Sequence, residues 1–193
     1  MSGREVLVLM SSVDSYFSMP KERVGALIGK SGQTKKKFEE LTKTSIKINS
    51  ETGEVVVQSS STNTELLPVA KNILRAIACG FSGESALTLT DEDKHLEVID
   101  LKETVGKSYK EIERIKGHII GRDGKVRKNL EAYTGSRISV YASSIAIICD
   151  IEDLGATKRA VELLIKGATC NGVYRFLEGY RRKKKENLSL WGE

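Results

Sequence analysis

Cysteine and histidine are scarce in this chain, and their placement excludes several classes of protein. The three cysteines, Cys79, Cys149 and Cys170, lie far apart with no Cys-x-x-Cys spacing, so neither a disulfide framework nor a zinc ribbon is written here. The two histidines, His95 and His118, join no ligand constellation, and no metal or other cofactor is expected. Long apolar runs are also missing. None approaches the roughly 18 residues that a membrane span requires, and Val6-Leu-Val-Leu-Met10 is too short, with too little basic flank, for a secretory signal. The expectation is a soluble, cytoplasmic protein with reduced, mostly buried thiols.

At 193 residues the chain has room for one large domain or two small ones. The formal net charge of +5 and pI near 9.0 favour a polyanionic partner, although 26 acidic residues nearly balance 31 basic ones. The distribution is more telling than the total. Lys35-Lys36-Lys37 follows a glycine-rich turn, and Arg181-Arg182-Lys183-Lys184-Lys185 lies close to the C-terminus.

The chain repeats itself at an offset of 92 residues. Gly25-Ala-Leu-Ile-Gly-Lys-Ser-Gly32 lies over Gly117-His-Ile-Ile-Gly-Arg-Asp-Gly124. The register then continues without a gap, placing Phe38 over Leu130, Leu41 over Tyr133, Thr42 over Thr134, Ile46 over Ile138 and Ile48 over Val140. Two copies of one structural unit explain this.

The local patterns agree between the copies. Thr34, Phe38 and Leu41, and likewise Val126, Leu130 and Tyr133, recur at i, i+4, i+7, the stripe of a short helix starting just after the second glycine. Ser45–Asn49 and Arg137–Tyr141 alternate as half-buried strands do, and turns lead from them to second strands at Val55–Val57 and Ile145–Ile148. Leu66 to Ile77 and Ala156 to Leu164 carry helical spacing, while Ser15–Met19 and Leu96–Leu101 read as opening strands. Each unit is thus strand, helix, glycine turn, helix, strand, strand, helix, in the α+β class. Residues 1–84 are expected to hold the first unit, 85–94 a linker, 95–171 the second unit, and 172–193 a basic helix and tail in which Val173, Phe176, Leu177 and Tyr180 could pack back. Lys102 to Lys107 are extra residues in the second unit.

Two helices joined within so few residues demand backbone angles that a side chain opposes, and a phosphate approaches closely only where no Cβ intrudes. The amides at the start of the following helix add a field favourable to an anion. Lys30 and Arg122 stand inside the two turns, and Lys35, Lys36, Lys125, Arg127 and Lys128 lie on the first turns of the helices beyond.

The element order, with Ile28-Gly29-Lys30-Ser31-Gly32 and Ile120-Gly121-Arg122-Asp123-Gly124, resembles the KH domain and its Gly-x-x-Gly loop. The resemblance implies two tandem type I KH domains, each a three-stranded antiparallel sheet with three helices on one face. It also implies a grip on about four nucleotides of single-stranded RNA per loop. By the same resemblance Ile28 and Ile46, and Ile120 and Ile138, would form an apolar floor for bases, with Lys47 and Ser139 near the base edges. Asp123 departs from this pattern, because a carboxylate there opposes Arg122 where a phosphate should pass.

A nucleotide-binding P-loop does not fit. Gly25 to Ser31 is one residue short of Gly-x-x-x-x-Gly-Lys-Ser, Pro20 to Gly25 reads as a helix start, and the second copy replaces Lys-Ser with Arg-Asp. No catalytic set surrounds His95 or His118, so an enzyme is not expected.

Over nearly its whole length the chain resembles the archaeal two-KH proteins related to the eukaryotic pre-rRNA processing factors called partner of Nob and Krr. Leu27 to Lys36, Asn49 to Val55 and Gly172 to Glu178 carry that likeness. The resemblance implies a role in ribosome biogenesis at the 3′ end region of small-subunit rRNA. The partners it implies are the Nob endonuclease, the rRNA adenine dimethyltransferase and the alpha subunit of translation initiation factor two. A KH protein of RNA decay or transcript binding, and a protein-interaction scaffold with incidental RNA binding, remain as alternatives. A monomer is expected, because each unit is complete.

Overall fold

The computed structural model describes residues 13–59 and 64–190, so the Val6–Met10 run and Trp191 lie outside the described residues. The chain divides into two compact units. One ends at Ala78 but includes Ser82–Thr90, and the other comprises Cys79–Phe81 and the chain from Asp91 onward.

The first unit opens with strand β1 (Val13–Ser18) and helix α1 (Lys21–Ile28), separated by Pro20, whose fixed φ suits the residue before a helix. A tight turn at Lys30–Gly32 leads into α2 (Gln33–Thr42), then strands β2 (Thr44–Asn49) and β3 (Glu54–Ser59) and helix α3 (Leu67–Ala78). The three strands form one antiparallel sheet in the order β1-β3-β2, with Ile46 opposite Val57 and Ile48 opposite Val55. Alternation buries Ile46, Val55 and Val57 with Val24, Leu27, Phe38, Ile73, Leu74 and Ile77, while Tyr16 on the other face of the sheet is 80% exposed. Phe38 is fully buried, and truncating such a ring costs about 3–5 kcal/mol. The Asn49 side chain accepts from the N–H groups of Glu51 and Thr52 at 3.0 and 3.2 Å, closing the β2–β3 turn.

Residues 85–94, whose composition suggests a linker, are not an open tether. Helix α4 (Gly83–Leu87) is capped by the Ser82 hydroxyl, which accepts from Ser85 N–H at 3.2 Å, and Ala86, Leu87 and Leu89 are buried.

The second unit repeats the plan. Strand β4 (Lys94–Asp100) is followed by a short helix α5 (Leu101–Val105), formed largely by the extra residues and capped by Asp100, which accepts from Lys102 N–H at 2.8 Å. Helix α6 (Tyr109–Ile120), a turn at Arg122–Gly124, helix α7 (Lys125–Thr134), strands β5 (Arg137–Tyr141) and β6 (Ser144–Asp150), and helix α8 (Ile151–Ile165) complete it. The sheet is antiparallel in the order β4-β6-β5. Helix α9 (Cys170–Leu190) then packs back, burying Val173 and Leu177 in the same core as Ile115, Leu130, Ile138 and Leu164. Tyr180 is half-buried, and Phe176 stays 38% exposed. The described residues contain no helix long and apolar enough to cross a membrane.

Candidate nucleic-acid interface

The two glycine turns have nearly the same backbone. Gly29 and Gly121 both lie at φ 71°, with ψ of −178° and 175°, and Gly32 and Gly124 lie at φ 77° and 71°. The two glycines of each turn are required for different reasons. A Cβ on Gly29 would collide with the Thr34 hydroxyl, and one on Gly121 with a methyl of Val126, so the start of the next helix packs directly against the turn. A Cβ on Gly32 would meet nothing, and one on Gly124 only the Lys128 chain at 3.9 Å, so there the demand is the positive φ alone. The residue just before the second glycine is also left-handed, Ser31 at φ 53° and Asp123 at φ 54°. Aspartate tolerates this conformation better than most side chains, which gives Asp123 a backbone reason to be there.

No side chain caps the start of α2 or α7, which leaves the positive ends of both helices facing the turns. Lys30, Ser31, Lys36, Lys37, Arg122, Asp123, Lys125 and Lys128 are exposed, and Lys35 is half-buried. Among the described residues none of these lysines, nor Arg122, lies within ion-pair range of a carboxylate, whereas Lys94, Lys116, Lys158 and Lys184 are each paired. Arg127 differs from its neighbours. Its Nε is buried with no hydrogen-bond partner, and it leans along α7 toward Glu131 at 4.0 Å.

The expected apolar floor is only half present. Ile28 and Ile120, each just before the first glycine, are half-buried, as are Ile48 and Val140 on the edge strands. Ile46 and Ile138 are 1% and 3% exposed, so in this conformation they are core residues with almost no edge to offer a base. The expectation for the strand residues between them needs correction. Alternation points Lys47 and Ser139 away from the helices, and only Lys47 is exposed. Ser139 is 8% exposed, and its hydroxyl donates to the Cys79 carbonyl at 2.9 Å. Gly80, at φ 100°, has no room for a Cβ against Ser139 and Tyr141, so the Cys79–Phe81 backbone seals that position.

The repeat also contains a pair of supporting carboxylates that spacing alone does not mark. Glu39 accepts from Ile46 N–H at 2.8 Å, and Glu131, 92 residues later, accepts from Ile138 N–H at 2.8 Å. Each carboxylate ties the helix after the turn to the edge strand. A second repeated device is a hydroxyl pair, Thr42 with Thr44 and Thr134 with Ser136, both at 2.7 Å, joining the helix end to the strand start.

His118 and Cys149 belong to the second unit's own packing. His118 Nδ1 lies 3.1 Å from the Leu164 carbonyl. Cys149 is buried, and burial pushes its thiol up to about 11, which leaves it unreactive. The described residues contain no group of three or more side chains able to hold a metal ion.

Known proteins place this geometry in a family. The family described as KH domain matches residues 15–74, and that described as eukaryotic type KH-domain, type I, matches residues 95–182. A KH domain-containing protein of Methanocaldococcus jannaschii is 40% identical over 176 residues, covering 90% of this chain and 77% of that one. The pre-rRNA-processing protein PNO1 of Chaetomium thermophilum is 27% identical over 150 residues, which are 75% of this chain and 57% of that longer relative. A solved chain from the complex of a/eIF2alpha, aDim2p and rRNA of Pyrococcus horikoshii superposes with a TM-score of 0.81 at 38% identity, covering 89% of this chain and 96% of that one. The chain belongs to the family of two-KH-domain proteins that includes these archaeal proteins and is homologous to the pre-rRNA-processing protein PNO1.

Proposed function

We propose that this protein holds single-stranded RNA at the 3′ end region of small-subunit rRNA during rRNA maturation, as a binding factor and not as a catalyst. The observation that carries this reading is the pair of glycine turns of matching backbone angles, each bordered by cations with no carboxylate partner among the described residues. Unpaired cations beside a backbone open to close approach suit phosphate oxygens. In the first unit Gly29, Lys30, Ser31, Gly32, Lys35 and Lys36 take the strand's phosphates, and in the second Gly121, Arg122, Gly124, Lys125 and Lys128 do so. The half-buried Ile28 and Ile120 meet the bases. Arg127 serves its unit through Glu131 and the edge strand.

The ribosomal target is supported by two relatives: the PNO1 relative's name describes pre-rRNA processing, and the Dim2p relative is seen in a complex with rRNA. That complex also holds a/eIF2alpha, and we extend the same partner to this chain. The Nob endonuclease and the rRNA adenine dimethyltransferase follow from the family resemblance alone.

Fluorescence anisotropy with a labelled oligonucleotide of the small-subunit rRNA 3′ end tests the reading. Wild type is compared with Lys30→Asp/Ser31→Asp and with Arg122→Asp across a salt series. Single strand should beat duplex, and at least one variant should lose tenfold or more, about 1.4 kcal/mol. Equal binding by all three proteins would sink the RNA clamp.

A further inference from the structure

Resting on the RNA-binding reading, we propose a second phosphate-binding surface in the second unit, separate from the glycine turn, where Arg181, Arg182 and Lys185 of α9 take the backbone of RNA flanking the clamped nucleotides.

Helix α9 crosses the far end of α7, and together they line two adjoining shallow depressions of about 460 and 290 Å³. Tyr133, at the last turn of α7, forms the wall shared by both. Its ring stacks on Tyr174 with centroids 6.0 Å apart, and its hydroxyl donates to Glu178 at 3.0 Å, so that side of the dish is rigid. Arg181, Arg182 and Lys185 line the remainder and are exposed. Among the described residues none of the three forms an ion pair. Lys184, one position away, is the contrast. It turns inward onto Asp153 at 2.7 Å and is held there with Tyr180, so the inward and outward faces of α9 are divided between structure and surface charge.

The first depression sets three cations against a single carboxylate, Glu178, so the local field is positive. Gly135, which lines the second depression, would meet no neighbour even with a Cβ, so the floor there is open backbone. An open dish with two guanidinium groups suits a phosphate, which accepts paired N–H groups.

Helix α7 sets the distance. Its first residue adjoins the glycine turn and Tyr133 stands eight residues on, which at 1.5 Å per residue is about 12 Å. A stacked strand advances about 3.4 Å per nucleotide along its axis, so RNA that leaves the turn along α7 reaches α9 after roughly four nucleotides. The second surface therefore serves RNA longer than the turn alone can hold.

The test uses the full chain and the rRNA 3′-end oligonucleotide at lengths of about five and about twelve nucleotides, long enough respectively for the clamp alone and for both surfaces. Arg181→Ala/Arg182→Ala/Lys185→Ala should lose fivefold or more on the long RNA and bind the short one as wild type does. Its salt slope on the long RNA should fall by about two, from three lost contacts at 0.7 each. Arg181→Lys/Arg182→Lys should keep most of the slope. Arg122→Asp should weaken both lengths, which separates the two surfaces. The proposal is overturned if the triple variant binds long RNA as wild type does, as it would if these cations only offset the carbonyl end of α7. Equal loss at both lengths also overturns it. If wild type binds neither RNA, the parent reading fails, and this one with it.

Discussion

The carboxylate of Glu131 accepts the backbone N–H of Ile138 at 2.8 Å, binding the helix that follows the glycine turn to the edge strand of the sheet. An edge strand has N–H groups with no strand beyond to receive them, and here one is satisfied from the helix side. The same bond joins Glu39 to Ile46 in the first unit.

Replacing Glu131 by alanine leaves that part-buried amide without its acceptor and should cost about 1–2 kcal/mol of stability. Glu131→Gln keeps a carbonyl oxygen in place and should cost less. Urea denaturation of the three proteins checks this. Equal losses in both variants would show that the charge, and not the acceptor, matters.

The two glycines of a turn should respond unequally. Gly32→Ala forces a left-handed φ on a residue with a Cβ, at about 1–2 kcal/mol. Gly29→Ala adds a collision with Thr34 and should cost more. Thr34→Ala removes the closest of those contacts, the hydroxyl, but keeps the Cβ and backbone N, so it should recover only part of the extra loss, and a double-mutant cycle measures the coupling. Zero coupling would mean that the turn relieves the clash by moving.

Lys43 ends α2 at φ 51°, where the second unit has Gly135 at φ 67°. A lysine in the left-handed region is strained, so Lys43→Gly should stabilise the first unit by about 1 kcal/mol, less the entropy that glycine brings to the unfolded chain. Gly135→Ala should destabilise the second unit by a similar amount. A drop in melting temperature for Lys43→Gly would refute the strain.

Alkaline pH should act on the second unit through Tyr180. Burial first, then the hydrogen bond to Asp153 at 2.8 Å, pushes its hydroxyl up to about 12, and the bond to Asp153 likewise raises the Lys184 ammonium. Both shifts favour the protonated form in the folded state. Their contribution is therefore whole below about pH 10, the ordinary tyrosine value, and is lost as pH rises through about 12. Denaturation midpoints measured at pH 9 and pH 11.5 should fall further for wild type than for Tyr180→Phe. Parallel falls would remove Tyr180 as the cause.

Much of this architecture is written in local pattern. The 92-residue register carries both turns, both second helices and both edge strands, because each follows from spacing within about thirty residues. What escaped depends on distant chain. Ser139 lies in an alternating strand that looks half-exposed, and only the Cys79 carbonyl, 60 residues earlier, seals it. Ile46 and Ile138 read as core residues with an exposed edge, and it is only the loss of that edge, set by helix packing above the sheet, that alternation cannot measure. Glu39 and Glu131 were in plain view, for they align at the same offset. A carboxylate on a helix reads as solvated surface until the strand beneath it is known. Arg127, one turn before Glu131 on α7, likewise reads as one more cation at the turn until its lean along the helix is seen.

Val173 and Leu177 of α9 are fully buried among the second unit's own core residues. The second repeat is therefore not an interchangeable cassette. Cutting the chain after α8 would uncover Leu130 and Leu164 on the side those two residues occupy, and grafting the shortened repeat into another protein would transplant an unfinished interior. The first repeat must keep the segment Ser82–Thr90 with its buried Ala86, Leu87 and Leu89, and the second travels only with its final helix attached.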